Sequence, residues 1–356
     1  ATYRFNHKNG MSQDMKSLKS EDHPLLDESK PFKKLLIDWF SENAKDYPWR
    51  TTSDPYEILV SEIMLQQTQV ATVLDRGFYR RWLEAFPDFK KLADAEEVEV
   101  LRQWEGLGYY SRARNLHKLA KVVVYDMGNQ FPKDPKAIET LPGVGRYTAG
   151  AVASFAFDLP VPAVDANIAR VIARLFDFQE RIDSSSGQKK IWAWATDLVP
   201  SSGGRIWNSA LMELGQTLCG PRKTSCDECP IAASCQCVDP LDLPIKKLKP
   251  KATSVDEHVI LNVINGNILL QKETGSRRKG MWKLPLRDEN EMVKDNLIAV
   301  HKYGITRYKV SMHIYKFEDQ NIHENEKWFS LDEIDLLPIP SPYRRALRLL
   351  ENHFNQ

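Results

Sequence analysis

The residues of this 356-residue chain whose types and spacing suit chemistry fall in a few short stretches. Cys219, Cys226, Cys229 and Cys235 follow C-x6-C-x2-C-x5-C, with Pro221 and Pro230 shaping the loop between them. Four thiols so close along a chain are metal ligands, and both zinc and an iron-sulfur cluster accept four thiolates. Cys237 is left over and reads as a spare thiol. Glu62 lies in ILVSEIMLQQT, one helical turn from Ile58 and Leu65. A half-buried carboxyl on that face would favour its protonated form, as a general acid requires, although a glutamate in a helix more often faces solvent. Asp165 follows VPAV and precedes a helical pattern, where it serves as an N-cap, as a reactive carboxylate, or as both.

The stretch that organises these groups runs from Leu141 to Arg170, LPGVGRYTAGAVASFAFDLPVPAVDANIAR. Gly143, Val144 and Gly145 sit between two helical patterns, and glycines so spaced let backbone N–H groups approach a phosphate at the start of the next helix. Taken alone, the same turn is an ordinary connection of an αα-hairpin. A second stretch, Gly106-Leu107-Gly108-Tyr109-Tyr110-Ser111-Arg112, sets aromatics beside a cation, which suits stacking on bases and contact with phosphate. Tyrosines packed at a helix junction give the same pattern.

Around these stretches the periodicity is helical from Pro31 to about residue 237. KKLLIDWFSENA is followed by a helix YEILVSEIMLQQTQVATVL opened by Asp54 and Pro55, and RVIARLFDF, KKIWAWATDLVP and RIWNSALMELGQTLC lead into the cysteines. Residues 1–30 lack periodicity and are expected to be a flexible extension, with Met11 as the natural start. Residues 238–254 are rich in proline and carry Lys246, Lys247, Lys249 and Lys251, an expected extended linker passing near phosphates. From Val255 the pattern changes to strands, HVILNVINGNILLQKE, turning at Asn265-Gly266-Asn267.

Composition adds limits rather than identity. The net charge is +1, so any nucleic-acid contact must come from local basic patches, and 42% hydrophobic with 27% charged residues is an ordinary globular balance. No apolar run reaches the length of a membrane span, and a soluble protein without membrane contact is expected.

In combination, LPGVG, Tyr147-Thr148-Ala149-Gly150 and Val164-Asp165-Ala166-Asn167 resemble the helix-hairpin-helix superfamily of DNA glycosylases, and most of all adenine glycosylases of the MutY family. The resemblance is dense over residues 31–237 and looser over 255–350. It implies a multidomain protein: an all-α catalytic domain (31–237) with its helix-hairpin-helix at 141–150 and an iron-sulfur loop at 219–235, and a C-terminal α+β domain (255–356) like MutT and the Nudix proteins. For the four cysteines it implies a 4Fe-4S cluster, with the Pro221-Arg222-Lys223 loop as beneficiary. Gly280-Met281-Trp282-Lys283-Leu284-Pro285 is the segment resembling the MutT-like domain; the acid-rich Nudix helix is missing, so a recognition domain is expected.

For the chemistry, the resemblance implies that Glu62 protonates adenine and Asp165 stabilises the cationic sugar, with Asn167 orienting Asp165. Tyr147 stands where bifunctional relatives carry a Schiff-base lysine, so a monofunctional glycosylase is implied. Gln66, Gln67 and Thr68 would probe the duplex, Tyr109 would intercalate, Arg112 would contact DNA, and Gly143, Val144 and Gly145 would grip its backbone. Two departures stand out. Ala166 replaces the family's usual glycine, and Ile305-Thr306-Arg307 replaces the usual aromatic-serine/threonine-histidine loop, leaving Thr306 and Arg307 to read the lesion. The implied partner is double-stranded DNA with A:8-oxoguanine or A:G mispairs, met by a monomer in the bacterial cytoplasm at the nucleoid. Competing expectations are a mismatch thymine glycosylase and a non-catalytic DNA-binding protein on the same fold.

Overall fold

The computed structural model describes Leu25, residues 31–248 and residues 250–350. The expected extension over residues 1–30, with Met11, therefore lies outside the described residues except at Leu25, as do Lys249 and residues 351–356. Leu25 itself is 2% exposed and packs into a helical core.

In chain order the helices are α1 (Phe32–Asn43), α2 (Pro55–Leu65), α3 (Val70–Asp75), α4 (Phe78–Ala85), α5 (Phe89–Asp94), α6 (Glu97–Gln103) and α7 (Ser111–Lys121). Then come α8 (Pro135–Glu139), α9 (Arg146–Phe157), α10 (Ala166–Leu175), α11 (Ser185–Leu198) and α12 (Gly204–Thr217). Strands β1 (Thr253–Ile264), β2 (Asn267–Lys272), β3 (Trp282–Lys283), β4 (Leu297–Ile305), β5 (Tyr308–Phe317) and β6 (Glu326–Ser330) follow, and α13 (Leu331–Leu336) and α14 (Ser341–Leu349) end the described chain. Among the described residues no helix is long and apolar enough to cross a membrane.

The single helix expected for YEILVSEIMLQQTQVATVL is two, α2 and α3, separated by Gln66–Gln69, where Gln67 takes φ of 56° and breaks the helical path. The compact units also differ from the expected sequential domains. One unit takes the residues up to Ser53 with Arg146–Lys247; the other takes Asp54–Gly145 with the residues from Leu248 on. Within the second unit Glu105 and Arg114 of the α6–α7 region are bonded to Arg344 and the Lys279 carbonyl of the C-terminal region.

In the first unit α12 packs on α1, α9 and α10. Phe32, Leu36, Ile172, Leu198, Trp207 and Leu211 are buried together there, each such side chain contributing about 1.5–3 kcal/mol. Residues 238–247 are fastened to this unit rather than free: the Arg174 Nε donates to the Leu243 carbonyl (3.0 Å), Ile182 N–H to Ile245 (3.0 Å) and Lys247 N–H to Asp183 (2.9 Å).

In the second unit α2–α8 enclose Tyr56, Trp82, Phe86 and Trp104, with the two tryptophan rings edge-on at 5.2 Å. The strands form one sheet in the order β3-β2-β1-β5-β4, with β6 beside β2; β1 and β5 run parallel and the other pairs antiparallel. Asn265 (φ 49°) and Gly266 (φ 74°) make the expected two-residue turn between β1 and β2. Ile334, Tyr343 and Leu347 of the terminal helical segments share the core of Val259, Met312 and Ile314 on one sheet face. Between β3 and β4 the chain makes only short helical turns, Glu289–Glu291 and Lys294–Asn296.

Candidate functional site

Asp165 is the N-cap of α10. Its Oδ1 accepts the Ile168 N–H at 2.7 Å and its Oδ2 accepts from Asn167 Nδ2 at 2.7 Å. Burial nevertheless raises its carboxyl above the usual carboxylate range, outweighing those bonds and the nearby Arg170 charge. The polar chain continues inward. Arg170 Nη2 donates to Asn167 Oδ1 (2.9 Å) and to the Gly215 carbonyl (2.7 Å), and Arg170 Nε donates to the Cys219 carbonyl (2.9 Å). An unbroken series of hydrogen bonds thus joins the Asp165 carboxyl to the start of the cysteine loop.

That loop folds its cysteines around one space. Cys219, Cys226, Cys229 and Cys235 line one cavity of about 110 Å³ below α10 and α12, with Cys237 also on its wall. None of the five is disulfide-bonded. Burial, aided by the neighbouring thiols, pushes the Cys229 thiol up to about 11, so thiolates here need a cation to offset them. Among the described residues no three His, Cys, Asp or Glu side chains converge as ligands of a single ion, whereas the thiols surround a space. The same cavity is lined by Arg174, whose Nη1 donates to Cys219 Sγ at 3.2 Å and whose buried Nη2 has no partner. A sulfur-rich group would supply that missing acceptor. Four thiols and an unpaired guanidinium nitrogen around one space suit a metal centre held by thiolates.

Tyr147 lies half-buried in the first turn of α9. In the turn before it, Gly143 and Gly145 are exposed, while the Val144 side chain is 8% exposed and its N–H donates to the Leu141 carbonyl at 3.1 Å. Gly143 has φ of 75°, and a Cβ there would stand 2.5 Å from Asn115, so glycine is required.

In the second unit Glu62 is 5% exposed on α2, deeper than the half-burial read from its helical face. Asp54 caps that helix, accepting the Tyr56 N–H at 2.7 Å, with Pro55 at the first position. Gln66 and Thr68 are half-buried and Gln67 exposed. Arg112 is the clearest correction. It is 8% exposed and carries its guanidinium inward, Nη1 to the Ile63 and Met64 carbonyls (3.0 Å each) and Nη2 to the Leu107 carbonyl (2.9 Å). It also donates to the Gln66 and Gly108 carbonyls. The cation read as a phosphate contact instead braces the end of α2 against the glycine-tyrosine loop. Tyr109 on that loop is 46% exposed.

Thr306 and Arg307 form the two-residue tip between β4 and β5, with both side chains exposed. Arg307 rests over the Tyr308 ring at 5.3 Å and donates to its hydroxyl at 3.2 Å. Eight described residues other than glycine take positive φ, and five of them are asparagine or aspartate, which tolerate it. The remaining three are Gln67, Tyr109 and Thr306, each already singled out for DNA contact. Strained backbone of this kind collects at functional sites. Sequence reasoning missed Arg170 and Arg174; two arginines four residues apart inside the apolar pattern of α10 were the available signal.

A family model described as HhH-GPD superfamily base excision DNA repair protein matches residues 60–196. The chain is 42% identical over 214 residues to the adenine DNA glycosylase of Rattus norvegicus, a match covering 58% of this chain and 41% of that protein. It is 30% identical over 258 residues to the adenine DNA glycosylase of Buchnera aphidicola subsp. Acyrthosiphon pisum, covering 71% of this chain and 72% of the relative. The solved structure of a thermostable thymine-DNA glycosylase superposes with a TM-score of 0.53 at 34% identity, over 58% of this chain and 94% of that one. The chain spans about two-fifths of the length of the rat relative. With the turn, Tyr147, Asp165 and Asn167 inside the matched stretch, and most of the Buchnera protein covered, the chain belongs to the HhH-GPD superfamily of base excision DNA repair proteins, among its MutY-like adenine DNA glycosylases.

Proposed function

We propose that the protein removes adenine mispaired with 8-oxoguanine or guanine in double-stranded DNA, by hydrolysis of the N-glycosidic bond. The observation that carries this reading is the pair of carboxyls in unlike settings, Glu62 buried on an apolar helix and Asp165 desolvated but held by two donors. Breaking the bond between a purine and deoxyribose needs a proton on the departing base and a negative charge near the cationic sugar. Glu62 supplies the proton to the five-membered ring of the flipped-out adenine, then takes one from the water that attacks C1′. Asp165, oriented by Asn167, offsets the developing charge on the sugar. Free adenine and an abasic site are the products, and Tyr147, which cannot form an imine, leaves the strand uncut.

Gly143 and Gly145 grip a phosphate, Gln66, Gln67 and Thr68 enter the duplex, and Tyr109 stacks beside the orphan base. Thr306 and Arg307 read the opposite base from a domain of MutT-like descent that lacks the acid-rich helix. Cys219, Cys226, Cys229 and Cys235 would hold a 4Fe-4S cluster, which when bound fixes the loop through Pro221-Arg222-Lys223. Analysis giving about four iron and four sulfide per chain, rather than one zinc, is the expected result.

Single-turnover base release from duplexes carrying A:8-oxoguanine, A:G and T:G tests the substrate. Fast adenine release is expected. Thymine release from T:G instead would establish the second reading, which the likeness to the thymine-DNA glycosylase favours. No release from any duplex would leave a DNA-binding protein.

A further inference from the structure

We propose that the C-terminal region positions Tyr109, and that Arg344 and Glu105 are the positioning residues through which it does so; this rests on the reading of Tyr109 as a stacking residue. Arg344, on α14, is 9% exposed and grips Glu105 with both arms of its fork, Nε to Oε1 at 2.8 Å and Nη2 to Oε2 at 3.1 Å. The guanidinium is itself fixed, donating from Nη1 to the Ile334 carbonyl (2.9 Å) and from Nη2 to that of Leu337 (2.8 Å). A bidentate arginine-carboxylate pair sets direction as well as distance. For stability alone it is a poor choice, because well-packed apolar residues of the same volume serve as well or better.

What the pair fixes is the root of the loop. Glu105 is followed by Gly106 with φ of 103°, Gly108 with φ of 69° and Tyr109 with φ of 44°. A tyrosine keeps such a backbone only where its surroundings over-determine it. The downstream flank is held too: Arg114 donates to the Lys279 carbonyl of the C-terminal region while its Nε pairs with Glu97 at 3.0 Å. Between the two anchors, Trp104 Nε1 donates to the Gly108 carbonyl at 3.0 Å and Arg112 to those of Leu107 and Gly108. The C-terminal region thus grasps both ends of the short segment that presents the exposed Tyr109 ring.

The test uses the full chain and a duplex holding a non-cleavable 2′-fluoro-adenosine opposite 8-oxoguanine, with 2-aminopurine beside the 8-oxoguanine to report stacking by its fluorescence. Arg344→Gln and Glu105→Gln are each expected to lower the equilibrium for Tyr109 insertion by about tenfold, and Arg344→Lys, which keeps the charge without the fork, by less. Tyr109→Ala sets the signal without insertion. In the double variant Arg344→Gln/Tyr109→Ala no further loss is expected, whereas a merely structural role would add to it. Circular dichroism and melting check the fold, and Arg344→Lys carries the test if the glutamine variant does not fold. Wild-type fluorescence in the folded Arg344 and Glu105 variants, with the signal lost in Tyr109→Ala, would overturn the coupling alone. A wild-type signal in Tyr109→Ala would overturn the stacking role of Tyr109 and the coupling with it.

Discussion

Asp165 answers two opposed demands, since its cap bonds favour the charged form and its burial the neutral one, with burial ahead. The folded chain therefore holds this proton more tightly than the unfolded chain. The associated stability is complete below the unfolded pKa, about 3.9, and is lost as pH rises through the raised folded value. Asp165→Asn keeps the cap and removes the charge. It should melt above the wild type at neutral pH, and the gap should close as the pH falls below about 4 in calorimetric scans at several pH values. A gap that ignored pH would mean the carboxyl is not the buried charge at issue. Base release should show the complementary sign, weakening on the acid side at a pH above the ordinary carboxylate range as Asp165 takes up its proton. Glu62→Gln keeps shape and burial while removing the acid. Its single-turnover release should fall by about 100-fold or more with DNA affinity retained, and near-wild-type release would take Glu62 out of the acid role.

At the scale of elements, the break between α2 and α3 and the glycine-tyrosine loop depend on one guanidinium that neither contains. Arg112→Met leaves several buried carbonyls without a donor and should cost about 2–4 kcal/mol in urea unfolding. The salt dependence of DNA affinity should keep its slope; a slope smaller by about one would return Arg112 to a phosphate. This contrast also marks what the sequence can reveal. Asp54-Pro55, Asn265-Gly266 and the cysteine spacing are local devices, and each forms the cap, turn or shared cavity that its residues dictate. The split of YEILVSEIMLQQTQVATVL is not local, because periodicity runs unbroken through Gln66–Gln69 while the brace arrives from a helix more than forty residues away. Arg112 itself was legible as a cation beside aromatics but not in its direction, which only packing decides. Arg170 and Arg174 stayed hidden for the same reason, their partners being carbonyls and a sulfur on a distant loop.

Taken whole, the molecule carries a net charge of only +1, so it has no general field for a polyanion, and the proposed DNA contact must rest on cations placed one at a time. Arg307 is the candidate proposed above. It stands at the tip of the β4–β5 hairpin, exposed, with its guanidinium steadied over Tyr308 and the preceding Thr306 locked at φ of 54°. A donor fork so preorganised loses little freedom when it meets an acceptor. If it reads the base edge, Arg307→Ala should lower adenine release opposite 8-oxoguanine about tenfold more than release opposite guanine. If it only neutralises a phosphate, both duplexes should weaken alike and the salt slope should fall by about one. Release rates and salt titrations on the same two duplexes separate these outcomes. Equal losses with a reduced slope would place lesion reading elsewhere in the chain and leave Arg307 as a backbone contact.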